Sequence, residues 1–217
     1  PIGGAPLTIQ AVTERPSLNL SAYGEVKTAP DMATITFGVQ TEAPTAQAAM
    51  QQNAEQMTRV MAALRRAGIN ERDIQTSGLN LGAQYDYVQN EPPKLRGYQA
   101  SNQVTITVND LARLGAAVDA TVGAGANQIN GINFGLKDPT KAENAAREEA
   151  VKALADKAAL YARATGHRVS RLVSISEGGG YVPQPMPVPM MAMAKREFAA
   201  DATSVSPGQL TVRIDVS

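Results

Sequence analysis

The residues that could carry chemistry are few and scattered. His167 is the only histidine, and it stands just past a run of helical spacing. There a cation interacts favourably with the partial negative charge of a helix C-terminus. As a metal ligand it lacks partners, because the chain has no second histidine and no cysteine. Absence of cysteine also excludes disulfides, zinc–thiolate sites and thiol catalysis. Glu148-Glu149 and Asp86 with Glu91 are acidic pairs by position only. Acid–base work needs two carboxyls in opposed environments. The first pair would sit about 100° apart on a helix and reads as solvated.

No Gly-x-Ser-x-Gly, phosphate-binding loop or dinucleotide fingerprint is present. Gly123-Ala124-Gly125 follows helical spacing instead of preceding it, which argues against a phosphate cradle. Asn102, Asn127, Gln128 and Asn130 fall near expected strand ends, where amides bond turns and ladder edges. The alternative for them is a polar ligand site. Met186, Met190, Met191 and Met193 cluster in a proline-rich stretch that begins near Tyr181. Thioethers can bind Cu(I) or be oxidised to sulfoxides. Adaptable methionine surfaces more often serve as contact patches, so Tyr181 and these four methionines are the interface candidates. No catalytic residue, cofactor or metal is assigned.

The elements that must position these residues come from hydrophobic periodicity. Tyr98 to Asp110 is the clearest stretch: Val104, Ile106 and Val108 alternate with Thr105 and Thr107, the pattern of a half-buried strand. Asn109-Asp110 offers a helix N-cap, and Leu111, Leu114, Val118 and Val122 follow at helical spacing. Upstream, Leu18 to Val26 and Ala33 to Val39 alternate around a turn at Ala29-Pro30-Asp31 and read as a hairpin. Thr41 to Ala67 reads as a long helix with a stripe of Met50, Asn53, Met57, Val60, Met61 and Leu64. The stripe reads as core packing, and Gly68 is its C-cap candidate.

Ile74 to Val88 predicts a long strand, with Gly78 and Gly82 marking bends or bulges and Pro92-Pro93 in the following hairpin loop. Gln128 to Lys137 predicts another strand. The last helix starts near Pro139, where Thr140 and Glu143 fit a capping box, and Gly166 closes it. Its alanine-rich face carries Ala146, Ala150, Ala153, Leu160, Tyr161 and Ala164. Val169, Val173 and Ile175 predict a strand, and Leu210 to Val216 predicts the last one. Between them, 177–207 reads as a long Pro/Met-rich loop.

The fold class is therefore α+β, in the order ββ-α-ββ-α-β-α-ββ, a mainly antiparallel sheet covered by helices. Residues 1–17 read as an extended N-terminal arm. Residues 18–217 read as one domain or two intimately packed α/β subdomains.

Bulk properties narrow the function. The 217 residues are 18% charged with formal net charge +0, and Lys and Arg are scattered, so no basic surface invites nucleic acid. No apolar run reaches the roughly 18 residues that a membrane-spanning helix needs. The chain begins with proline, which is compatible with a removed signal peptide.

Several short motifs then carry a resemblance: Gly24-Glu25-Val26 with Pro30-Asp31 and Ala33-Thr34-Ile35, and Asp73-Ile74-Gln75-Thr76 with Tyr85. Gly97 to Asn102, and Gly125 to Ile132 with Phe134, continue it. In this order they resemble the SIMPL-domain family of bacterial envelope proteins, which includes a periplasmic immunogenic protein and an oxidative-stress defence protein. The resemblance implies a secreted periplasmic or outer-membrane-associated protein, a stress-protective role, and self-association into a homo-oligomer, since one family member forms a channel-like ring. It supplies no catalytic residues and no known small-molecule substrate. The expectation is a non-enzymatic protein that assembles with itself; the alternative is a periplasmic small-molecule-binding module.

Overall fold

The computed structural model describes residues 15–182 and 203–217. Its elements are β1 (Ala22–Thr28), β2 (Met32–Ala43), α1 (Ala46–Arg66), β3 (Ile74–Asp86), β4 (Lys94–Val108), α2 (Leu114–Gly123), β5 (Gln128–Gly135), α3 (Thr140–Ala164), β6 (Glu177–Gly180) and β7 (Leu210–Val216). Single 3₁₀ turns precede β3 and α2. The order ββ-α-ββ-α-β-α-ββ agrees with the sequence reading. Every pairing is antiparallel, in a four-stranded sheet β3-β4-β2-β5 and a three-stranded sheet β1-β7-β6.

The larger sheet is built on β2 and β4. Ala33, Ile35, Phe37 and Val39 lie opposite Val108, Ile106, Val104 and Asn102. Directly opposed side chains share a face, and on this face all but Asn102 are fully buried. Helix α1 covers them with Ala49, Asn53, Met57, Val60 and Leu64, spaced by three and four as its amphipathic stripe requires. Each such Val, Leu, Ile or Phe contributes about 1.5–3 kcal/mol relative to exposure.

Thr45 caps α1 by accepting the Ala48 N–H at 3.2 Å, and Gly68 leaves it at φ 88°. The helix does not start at Thr41. Strand β2 runs on to Ala43 because β4 keeps pairing with it as far as Tyr98. The Thr41 hydroxyl instead donates to the Ala49 carbonyl at 2.8 Å, stitching strand to helix. Asp110 caps the turn before α2 by accepting the Ala112 N–H at 3.1 Å. Leu114, Ala117, Val118 and Thr121 then bury one face of α2.

The smaller sheet departs further from the sequence reading. β1 does not form a hairpin with β2; it pairs with β7 from Ala22↔Val216 to Thr28↔Leu210. Alternation marks a strand but cannot name its partner. Val169, Val173 and Ile175 form no strand: residues 167–175 make no ladder among the described residues, and Leu172 and Val173 are 70% and 74% exposed. The ladder on β7 begins one step later, with the mutual Ser176–Ser217 backbone bonds, and continues into Glu177–Gly180. The three glycines expected to open a loop are thus the body of β6.

Helix α3 lays Ala146 and Ala150 against Val212, Ile214 and Val216. Its later stripe residues Leu160 and Tyr161 are exposed, because the helix overruns the sheet. The expected capping box is also absent. Asp138 accepts the Thr140 N–H at 3.0 Å, and Glu143 turns outward to accept the Tyr181 N–H at 3.1 Å.

That glutamate belongs to a joint between the two sheets. Asp31 N–H donates to the Gly135 carbonyl at 3.1 Å, and Asp31 Oδ1 accepts the Lys137 N–H at 2.8 Å. The Tyr181 hydroxyl accepts the Leu136 N–H at 3.1 Å, while its ring packs into the α3 cluster.

Candidate interaction surface

The residues singled out for chemistry are kept apart. His167 follows α3, exposed, with Nδ1 2.7 Å from the Thr165 carbonyl and its own N–H closing the helix on Ala162. Glu148 and Glu149 are both solvated. Asp86 faces Arg96 at 3.9 Å, a cation shared with Glu42 at 3.5 Å, and Glu91 faces Lys94 at 3.9 Å, so the two carboxylates are paired with different cations. Among the described residues no group of three His, Asp or Glu converges.

Two of the four amides bond within the fold. Asn127 mimics a strand, accepting the Gln40 N–H at 2.9 Å and donating to its carbonyl at 2.8 Å. Gln128 donates to the Gln40 side chain. Asn130 is exposed on β5. Asn102 Oδ1 is buried without a hydrogen-bond partner among the described residues. Gly125, after α2, offers its carbonyl to Gln56 Nε2. Tyr181 serves the joint described above, and Met186, Met190, Met191 and Met193 lie outside the described residues.

Two depressions among the described residues are wide open. One, of about 420 Å³, is lined by Ser21, Tyr23, Lys157, Glu177, Arg213 and Asp215 among others. Its ionic groups are already engaged. Arg213 stacks 3.9 Å from the Tyr23 ring centroid and lies 2.8 Å from Asp215, and Lys157 donates to the Ser21 carbonyl at 2.8 Å. Arg147 Nε reaches both Glu177 oxygens, at 3.0 and 2.9 Å, and this hydrogen bonding holds the Glu177 carboxyl below its ordinary range. The second depression, about 400 Å³, lies between α1 and α2 around Arg66 and Gly123.

A feature without such internal use is the β3–β4 ribbon. Among the described residues β3 is an edge strand, hydrogen-bonded on one side only. Leu79, Leu81 and Ala83 oppose Asn102, Ala100 and Tyr98, which oppose Val39, Thr41 and Ala43 on β2. They therefore share the helix-covered face. Yet α1 covers β2 and β4 and leaves β3 open, so Leu79 is 56% and Leu81 46% exposed. Tyr85, Tyr87, Val88 and Leu95 extend the exposed apolar stripe towards the hairpin loop.

From Ile74 to Tyr85 the strand has no charged residue and no proline. Natural edge strands are usually guarded by just those features. Extra residues in the ladder, Ser77 on β3 and Arg96 on β4, bound an unbroken register from Gly78↔Gln103 to Gln84↔Gly97. Gly78 thus adjoins a bulge, whereas Gly82 sits in regular register with Gln99. The sequence reading did not single out this edge. Its signal was the uncharged run, which gains meaning only once β3 is known to lack a second neighbour.

This fold meets a family model across its length. Residues 18–217 match SIMPL, "Protein of unknown function (DUF541)". The chain belongs to the SIMPL family. Among its SIMPL relatives, the 26 kDa periplasmic immunogenic protein of Brucella melitensis is 36% identical over 183 residues, covering 82% of this chain and 73% of that one. Uncharacterized protein YggE of Edwardsiella ictaluri is 29% identical over 176 residues, covering 80% and 74%. YggE of Escherichia coli K12 is 25% identical over 214 residues, covering 99% and 85%. The SIMPL motifs read from the sequence fall at working points of the fold. Gly24 touches α3, Asp31 holds the joint, and Gly97 to Asn102 forms the β4 side of the ribbon.

Proposed function

We propose that this chain is a non-enzymatic periplasmic protein of the bacterial envelope that acts by associating with copies of itself. The observation that carries the reading is the long, uncharged, apolar edge of β3. Contiguous exposed apolar surface of this kind is uncommon on a protein that works alone. The periplasmic location rests on the name of the Brucella relatives; no helix of the described residues is long and apolar enough to cross a membrane. Outer-membrane association and stress protection rest on the family resemblance alone. The non-enzymatic reading is supported by the separation of the candidate acids and of His167.

Sedimentation velocity across a wide concentration range tests the proposal. A mass that rises above 22.8 kDa supports it, and a monomer at every concentration refutes it. The small-molecule alternative would place a ligand in the depression at Tyr23 and Arg213. A ligand-dependent rise in melting temperature would favour that alternative.

A further inference from the structure

We propose that β3 pairs with β3 of a second copy, antiparallel across a two-fold axis, joining two four-stranded sheets into one of eight strands. The inference rests on the self-association reading above and names its surface. Three observations carry it. First, among the described residues β3 has one hydrogen-bonded neighbour, so the other side of its backbone is there a row of donors and acceptors without a strand. Second, the seven residues from Gly78 to Gln84 keep an unbroken register with β4, so the edge is regular where a partner would bind. Third, the side chains are self-complementary about Leu81.

That complementarity fixes the register. With Leu81 facing Leu81 on the axis, Leu79 faces Ala83, Asn80 faces Gly82, and Gln84 faces Gly78. Every off-axis pair in the regular segment joins a larger residue to a smaller one. Leu79, Leu81 and Ala83 of both copies then share the apolar face, and Asn80 and Gln84 share the polar one. No like charges are opposed, since Asp86 faces Thr76 and the strand between is neutral. An isologous contact of this kind closes on itself, and strand addition provides main-chain bonds together with side-chain burial.

The chain has no cysteine, so single-cysteine variants read the register directly. Directly opposed residues of antiparallel strands bring Cβ atoms to about 4.5–5.5 Å, near the separation that a disulfide requires. Leu81→Cys should form covalent dimers under mild oxidation. Leu79→Cys and Ala83→Cys should form few alone but cross-link with each other when mixed. Leu81→Lys, at an exposed position, should leave the melting temperature of the subunit unchanged while weakening association about tenfold or more, because it opposes two ammonium groups.

If the unmodified protein is monomeric at all concentrations, the self-association reading falls and the pairing falls with it. If it associates but Leu81→Cys does not cross-link and Leu81→Lys leaves the mass unaltered, the pairing alone is overturned. Cross-linking of Leu79→Cys or Ala83→Cys with itself in preference to Leu81→Cys also overturns it.

Discussion

Replacing Gly24 by alanine should be among the most damaging small changes to this chain, for a purely steric reason. Gly24 lies in β1 directly beneath α3. A Cβ there would stand 1.9 Å from the Ala146 carbonyl oxygen, 2.6 Å from Ala150 N and 2.9 Å from Glu149 Cβ. An ordinary carbon–oxygen contact is about 3.3–3.6 Å, so the shortfall is about 1.4 Å, and two of the three atoms are backbone.

The helix can only retreat, which loosens Ala146 and Ala150 from Val212, Ile214 and Val216. A radial gap of about 0.5–1 Å already forfeits a quarter to a half of the dispersion energy. Overpacking costs about 1–3 kcal/mol, and a backbone obstacle places this case at the upper end. Stiffening the unfolded chain returns about 0.4–1 kcal/mol. The net loss is therefore about 2–3 kcal/mol, or about 4–12 °C in melting temperature for a chain of this size.

Calorimetry or circular dichroism measures it. Gly82→Ala is the control, since no atom lies within 4 Å of its added Cβ, and it should be neutral or stabilising by up to about 1 kcal/mol. A Gly24→Ala protein melting within about 1 °C of the unmodified chain would refute the close approach of strand and helix.

Asn53→Ala removes the Nδ2 bonds to the Val39 and Ala100 carbonyls, at 2.8 and 3.1 Å in the buried α1 interface. It should cost about 2–3 kcal/mol in urea unfolding, and an unchanged midpoint would show that those carbonyls do not need it. Thr45→Ala should cost about 1 kcal/mol through the lost N-cap, with Thr45→Ser close to neutral in the same assay. Glu177 gives a pH signature. Arg147 holds its folded carboxyl below the ordinary value of 4.5, so its contribution is present above that value and is lost as pH falls through the lower folded one. The melting-temperature difference between the unmodified chain and Glu177→Gln should therefore be small and positive near neutrality and shrink as pH falls below 4.5; a difference that grows on acidification contradicts the assignment.

Local patterns in this chain were legible wherever one residue and its near neighbours settle the outcome. Alternation in Ala33 to Val39, Val104 to Val108 and Leu210 to Val216 gave strands with the right face inward. Spacing in α1 gave Asn53, Met57, Val60 and Leu64 as its buried stripe, and Gly68 and Gly166 were read correctly as stops, each at positive φ. Such features follow from periodicity and dihedral preference, which need no partner to be known. The candidate chemistry was equally plain in being sparse, because a lone histidine and no cysteine are facts of composition.

Partner choice was decided only in three dimensions. Ladder hydrogen bonds are made by a backbone common to all residues, so alternation could not say that β1 joins β7 across most of the chain and not its neighbour β2. For the same reason Gly178 to Gly180 became a strand, because β7 was there to pair with. The more strand-like Val169 to Ile175 stayed out of any sheet among the described residues. The apolar half of α3 at Leu160 and Tyr161 outran the strands that could have buried it. Above all, the neutral run of β3 became a candidate surface only when the strand order left one of its sides unpaired among the described residues, since whether an edge is covered depends on distant segments and not on the residues of the edge itself.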